Sequence, residues 1–188
     1  MPDLQAAPAD AVLHAGGEEL FDAAVLFTDM RGSSDLVTRT APHEFFHLHN
    51  ATLRAQAAVV RACGGEVVKY TGDGLLAVFR GASRAWQALR CATDLAREAG
   101  HELPFGLGVA EGPVLAGLVG PEGLHRQPDV VGAAVHLAAR LCALADAGEV
   151  LTTSAVRDAA SWREGVQDVG PMLVAGFPAP VACVALRG

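Results

Sequence analysis

Asp29 and Asp73 each follow or adjoin a strongly apolar run, Ala23-Ala24-Val25-Leu26-Phe27-Thr28 in one case and the Val67-Val68 and Leu75-Leu76 segments in the other. A carboxylate placed against such runs is costly unless something compensates its charge. Hard divalent cations such as Mg²⁺ take carboxylate oxygens, commonly one or two per ion, and leave the rest of the shell to substrate phosphates. Two aspartates at the ends of adjacent strands could therefore hold a pair of ions that activate an attacking oxygen and stabilise a leaving phosphate. Each also has an ordinary reading: Asp73 as a hairpin aspartate and Asp29 as a helix cap. After Asp29 the small Gly32-Ser33-Ser34 segment can aim backbone N–H groups at an anion.

Lys69 is the only lysine among 14 lysine and arginine residues, and it stands four positions before Asp73. An ammonium is a compact charge with three rotatable donors, which a planar guanidinium does not copy in a tight pocket. A GC-rich genome would produce the same arginine bias, and an ordinary surface lysine at a strand end is the plain alternative.

These residues need a scaffold, and the composition supports one. The 188 residues are 51% hydrophobic with mean hydropathy +0.30, enough for a single domain with a real core. No uninterrupted apolar run approaches ~18 residues, so no transmembrane helix is expected. Met1-Pro2-Asp3-Leu4 lacks a basic n-region and an apolar h-region, so no signal peptide is expected either. A net charge of −7 argues against a nucleic-acid binder held by phosphate contacts, so an anionic ligand needs a local device such as a metal ion. Cys63, Cys91, Cys142 and Cys183 form no Cys-x-x-Cys pair and read as reduced, buried thiols of a cytoplasmic protein.

The chain reads as a flexible lead-in over 1–20 and one domain over 21–188. The run 23–28 predicts a buried strand that turns at 29–34 into a helix. Phe45, Phe46, Leu48, Leu53, Ala57 and Val60 recur at helical spacing over 42–62, with Pro42 in the first turn and Gly64-Gly65 as the stop. Strands 66–70 and 75–79 flank Thr71-Gly72-Asp73-Gly74, and Asp-Gly between apolar runs signals a hairpin. A helix over 82–99 follows, then strands 105–110 and 113–119 joined through Glu111-Gly112, and a polar loop over 120–127. A helix over 133–145, a strand over 149–152, a helix over 154–160 and one or two final strands complete the order. The expectation is an α+β sandwich, one mostly antiparallel sheet with helices on one face.

Taken together, Leu26-Phe27-Thr28-Asp29-Met30-Arg31-Gly32-Ser33 and Lys69-Tyr70-Thr71-Gly72-Asp73-Gly74 resemble the two metal motifs of the class III nucleotidyl cyclases, the adenylyl/guanylyl cyclase catalytic domain. The segment from Gly108 through Gly112 to Gly120 resembles that family's central glycine-rich hairpin. Asp129-Val130-Val131-Gly132, running on to His136 and Arg140, resembles its signature strand-to-helix segment, and Gly148-Glu149-Val150-Leu151 the strand after it. The resemblance covers about residues 22–186 and implies a ferredoxin-like βαββαβ-type domain, in a bacterial stand-alone form, assembling head-to-tail as a homodimer.

It also implies roles. Asp29 and Asp73, with the Met30 carbonyl, would bind two Mg²⁺ or Mn²⁺ ions, and Gly32 and Ser33 would face the nucleotide. Lys69 and Asp129 would read the base; Lys/Asp is the adenine-reading pair, where guanine-reading members carry Glu and Cys. Adenine presents one ring acceptor and one amino donor, which a donor and an acceptor match, and a mismatch leaves buried polar groups unpaired. Arg140 would contact the triphosphate and His136 the ribose, both from the chain opposite the metal aspartates. The resemblance thus implies ATP conversion to cyclic AMP and pyrophosphate, with no nucleic-acid or membrane partner.

Three positions depart from the family. His136 replaces an asparagine, Gly106 stands in place of a strand arginine, and Val174-Ala175-Gly176 replaces a Leu-Lys-Gly pattern whose lysine holds phosphates. Each lost charged contact costs about 1.5–3 kcal/mol, and Arg31 and Arg126 are the candidates to compensate. Alternatives therefore stay open: a cyclase for another nucleotide, pyrimidine or GTP, or a degenerate domain that binds nucleotide as a regulatory module. A polymerase-like palm enzyme shares the sheet and metals, but the 129–140 segment disfavours it.

Overall fold

The computed structural model describes residues 17–98, 104–121 and 124–187. Most of the lead-in over 1–20 lies outside the described residues, and the first strand, β1 (Glu19–Met30), begins earlier than the apolar run alone suggested. Two helices follow, α1 (Ser33–Arg39) and α2 (Pro42–Ala62), then β2 (Glu66–Tyr70) and β3 (Leu75–Phe79). Next come α3 (Arg84–Glu98), β4 (Phe105–Val119), β5 (Gln127–Val131) and α4 (Ala133–Leu144). The order closes with β6 (Glu149–Thr153), α5 (Ser154–Ala159), β7 (Val166–Met172) and β8 (Val181–Arg187). None of the described helices is long and apolar enough to cross a membrane.

The sheet runs β2-β3-β1-β4-β6-β8-β7, with β5 paired to β4 beside this path. Every ladder is antiparallel except β4 with β6. The first part, β1-α-β2-β3-α3-β4 in spatial order β2-β3-β1-β4, is the βαββαβ arrangement with a mostly antiparallel sheet that the resemblance implied.

Two expectations are corrected. Residues 105–119 form one 15-residue strand, not two joined at Glu111-Gly112. Both of those residues sit in mid-ladder, Glu111 opposite Ala24 and Gly112 opposite Ala23. Glu111 is accommodated there because Arg84 pairs with it at 2.5 Å, and Gly112 because Ala134 of α4 packs over its bare Cα. The hairpin partner of β4 is instead β5, from Leu115 opposite Val131 to Val119 opposite Gln127.

Helices also cover both faces, where one was expected. Side chains alternate along β1. Ala24 and Leu26 join Val60 of α2, Leu89 of α3 and Val156 of α5 in one core, while Ala23 and Val25 join Ala134 and Ala138 of α4 in a second. The alanine-rich α4 can sit low on its face because a Cβ at Gly108 would overlap the backbone of Ala138 and Cys142. Small residues on both surfaces thus admit a helix that the sequence alone did not assign to a side.

Candidate active site

The carboxylate pair is assembled by the fit of the β2–β3 tip onto the end of β1. A Cβ on Gly74 would overlap the Thr28 carbonyl, so only glycine lets the tip approach this closely. The Thr28 hydroxyl then accepts from the Leu75 N–H at 3.0 Å and donates to the Gln56 side chain at 2.5 Å, and the Thr71 N–H closes the tip on the Gly74 carbonyl at 2.9 Å. Asp29 and Asp73 are brought together as a result. Burial, then the charge of Asp73, push the Asp29 carboxyl above the ordinary aspartate value, while Arg31 opposes the rise.

A second carboxylate that disfavours the charge on Asp29 suits a hard dication, which relieves that repulsion. Among the described residues no group of three or more His, Cys, Asp or Glu side chains converges, so the pair is the carboxylate set at this site. That leaves room for phosphate oxygens in the shell of a Mg²⁺-like ion. Met30 is 3% exposed and its side chain belongs to the core, so only its backbone is available as a ligand.

Lys69 and Asp129 meet although 60 residues separate them: Nζ lies 2.6 Å from Oδ2. Their strands are not neighbours, since β3, β1 and β4 lie between β2 and β5 in the ladder order. β2 and β5 nevertheless approach each other, and Val68 and Val130 beside the pair share one core. A bulge between Val67 and Lys69 re-aims the lysine, and Asp129 Oδ1 accepts the Val130 N–H at 2.8 Å, fixing the carboxylate. Donor and acceptor therefore stand side by side and satisfy each other when no base is between them.

His136 and Arg140 lie on the exposed side of α4, away from its buried Ala134, Ala138 and Leu141. Neither side chain has a hydrogen bond or ion pair to another described residue. The helix start is held by Gly132, where a Cβ would come within 2.6 Å of the Pro113 carbonyl oxygen. Gly32 and Ser33 open the short α1, with Gly32 in the left-handed region at φ 79° and its carbonyl accepting the Leu36 N–H at 3.1 Å. Arg126 is exposed just before β5, and Ala175 is exposed in the turn between β7 and β8. A cavity of about 590 Å³ beside the end of α2, lined by Arg61, Glu66, Arg80 and Gln87 among others, contains none of the site residues discussed above.

Sequence reasoning missed two supports. Thr28 and Gln56 are both 1% exposed and form a buried polar link under the site. The signal for Gln56 was a glutamine in register with Leu53 and Val60 on the buried side of α2. Arg31 was considered only for phosphate; its side chain instead reaches Asp29 and the end of α4.

The chain matches the family model of the adenylate and guanylate cyclase catalytic domain over residues 18–188. It is 37% identical over 158 residues to an uncharacterised protein of Mycobacterium tuberculosis, which covers 79% of this chain and 29% of that protein. A second uncharacterised protein of the same organism is 39% identical over 137 residues, 69% of this chain and 24% of that one. The chain thus spans less than a third of the length of the curated relatives it matches. Among solved structures, the adenylyl cyclase CyaB from P. aeruginosa superposes with a TM-score of 0.82 at 22% identity, over 92% of this chain and 96% of that one. The guanylyl cyclase Cya2 superposes at 0.79 with 25% identity, over 92% and 94%. With its fold, its paired aspartates and a family match across nearly all the described residues, this chain belongs to the adenylate and guanylate cyclase catalytic domain family.

Proposed function

We propose that this chain is an adenylyl cyclase that works as a homodimer, converting ATP to 3′,5′-cyclic AMP and pyrophosphate. The observation that carries the reading is the Lys69–Asp129 pair at 2.6 Å, a donor beside an acceptor in the polarity of the adenine edge. When the base enters, the Lys69 ammonium donates to the ring nitrogen and the Asp129 carboxylate accepts from the amino group, so each exchanges its bond to the other for one to the ligand. Guanine offers a donor at the ring nitrogen and an acceptor at the carbonyl, which leaves both side chains facing like groups.

Asp29 and Asp73, with the Met30 backbone, would hold two Mg²⁺ or Mn²⁺ ions. Bound there, the ions supply Lewis-acid stabilisation of the attacking and leaving oxygens. The 3′-oxygen attacks the α-phosphorus as its proton passes to water, and the bond from the α-phosphorus to the bridging oxygen breaks, its electron pair leaving with pyrophosphate. Arg140 neutralises charge that builds on the triphosphate, and His136 donates to the ribose. Gly32 and Ser33 present backbone N–H groups to the phosphates. His136 and Arg140 are exposed on α4, which suits a site completed by two chains, one giving the aspartates and the other Lys69, Asp129, His136 and Arg140. The reading places the enzyme in the cytoplasm, with no nucleic-acid or membrane partner.

The test is incubation of the purified protein with Mn²⁺ and each of the four nucleoside triphosphates, with products identified by mass spectrometry. Cyclic AMP as the main product is expected. Cyclic GMP or a cyclic pyrimidine nucleotide as the main product would reject the base assignment, and turnover by Asp73→Ala would reject the carboxylate pair as the catalytic centre.

A further inference from the structure

We propose that Arg31 is a positioning residue that ties the Asp29 carboxylate to the C-terminal end of α4, so that the metal-binding end of β1 and the helix bearing His136 and Arg140 move as one unit. The weight given to those two residues rests on the adenylyl cyclase reading; the strap itself does not.

The guanidinium is one-quarter exposed and spans three acceptors. Nη1 donates to Asp29 Oδ2, and Nη2 donates to the Cys142 carbonyl and, at 3.0 Å, to the Ala145 carbonyl. Both hydrogens of Nη2 are therefore engaged by protein. Ala145 is the residue that ends α4, and the last carbonyls of a helix lack intrahelical partners and favour a cation. Arg31 thus caps α4 from the turn that follows β1. Its own N–H is bound to the Pro104 carbonyl at 2.8 Å, which fixes the root of the side chain.

Space for this arrangement comes from Gly106. The guanidinium lies where a side chain at 106 would stand, since a Cβ there would overlap Arg31 Nη2. The Cys142 thiol donates to the Gly106 carbonyl at 3.2 Å, a separate tie from β4 to the same helix turn. Gly106 and Arg31 are therefore a complementary pair. With three of its five N–H donors committed to a carboxylate and two carbonyls, Arg31 is held by the protein rather than poised as a substitute for the phosphate-binding arginine that Gly106 replaces.

The experiment uses the full chain and the variants Arg31→Met, Arg31→Lys and Gly106→Ala. Amide hydrogen exchange over 141–146, Mn²⁺ binding followed by the EPR signal of the free ion, and the KM for nucleotide are read together. In both Arg31 variants exchange at the end of α4 should rise, and Mn²⁺ affinity fall, by about tenfold or more, the scale of a lost charge-assisted hydrogen bond. KM should stay within experimental error. Lysine should not rescue, because an ammonium on a flexible stem does not reproduce the fork that serves three acceptors.

Gly106→Ala evicts the guanidinium without removing its charge and should reproduce the same pattern, which keeps the test valid if Arg31→Met does not fold. Unchanged exchange over 141–146 in all three variants overturns the proposal. A raised KM with unchanged exchange and Mn²⁺ binding does too, and would make Arg31 a phosphate ligand. Hydrogen exchange needs no turnover, so a protein that makes no cyclic AMP yet loosens at 141–146 would reject the cyclase reading and keep the strap.

Discussion

Lys69 and Asp129 show how little of a site a local pattern carries. Nothing in the sequence near either residue says that they meet; the resemblance to the cyclases paired them, and the approach of β2 to β5 over the shared Val68 and Val130 core supplies the physical reason. Lys69→Glu places two carboxylates together where a base should bind, so ATP turnover should fall by about 100-fold or more relative to the wild type, on the scale of a buried polar mismatch. Competition assays with ATP and GTP measure the change, and undiminished ATP selectivity would remove Lys69 from the base pocket. Asp29 illustrates the opposite trade. Its carboxyl is pushed above the ordinary aspartate value by burial and by Asp73, so ionising it costs more in the fold than in the unfolded chain. That cost is present above the raised value and vanishes as pH falls through it, because the native state then binds the proton more tightly than the unfolded chain. Asp29→Asn should therefore unfold at a higher temperature than the wild type when both are metal-free at neutral pH, with the gap closing on acidification. The same variant should bind Mn²⁺ poorly and make no product. Calorimetry across pH separates the two effects.

Elements were legible where their ends are marked by local chemistry. Pro42 and the Gly64-Gly65 pair bracket α2 as read, and Asp-Gly marks the β2–β3 tip. Glu111-Gly112 misled because the same dipeptide that builds a turn also fits mid-strand when a cross-element arginine takes the charge and a helix needs the empty Cα. The side on which α4 packs was illegible for a related reason: a helix as rich in alanine as Ala133-Ala134-Val135-His136-Leu137-Ala138-Ala139 shows no sharp polar stripe, and the decision lies with Gly108 and Gly112 on the strand below. The hairpin tip offers a clean contrast between two glycines. Gly72 sits at φ 74° with open space around it, so Gly72→Ala should cost about 1–2 kcal/mol of backbone strain and leave the tip in place. Gly74→Ala has to push the tip off Thr28, so it should cost about 1–3 kcal/mol and also separate Asp73 from Asp29. Denaturant melts with activity measured on the folded fraction distinguish them: Gly72→Ala should retain turnover per folded molecule, and Gly74→Ala should lose it.

At the scale of the whole molecule, the exposure of His136 and Arg140 on α4 bears on assembly. If each site draws its aspartates from one chain and its arginine from the other, Asp73→Ala and Arg140→Ala are each inactive alone but complement when mixed. Random pairing puts half the dimers in mixed form with one intact site of two, so about a quarter of wild-type activity should return. No recovery after verified subunit exchange would place the whole site within one chain. The 15-residue β4 raises a separate matter, that of synthesis. It ladders with β1 along the full length of that strand and with β5 and β6 on its other edge, so the centre of the sheet waits on residues made long after β1. At about 5–20 residues per second, the interval between Met30 and Val119 leaves one edge of the Ala23-to-Phe27 run unpaired for on the order of ten seconds. An apolar edge exposed that long is the part of the nascent chain that a chaperone would hold first, and its pairing with β4 is the event that ends the need for one.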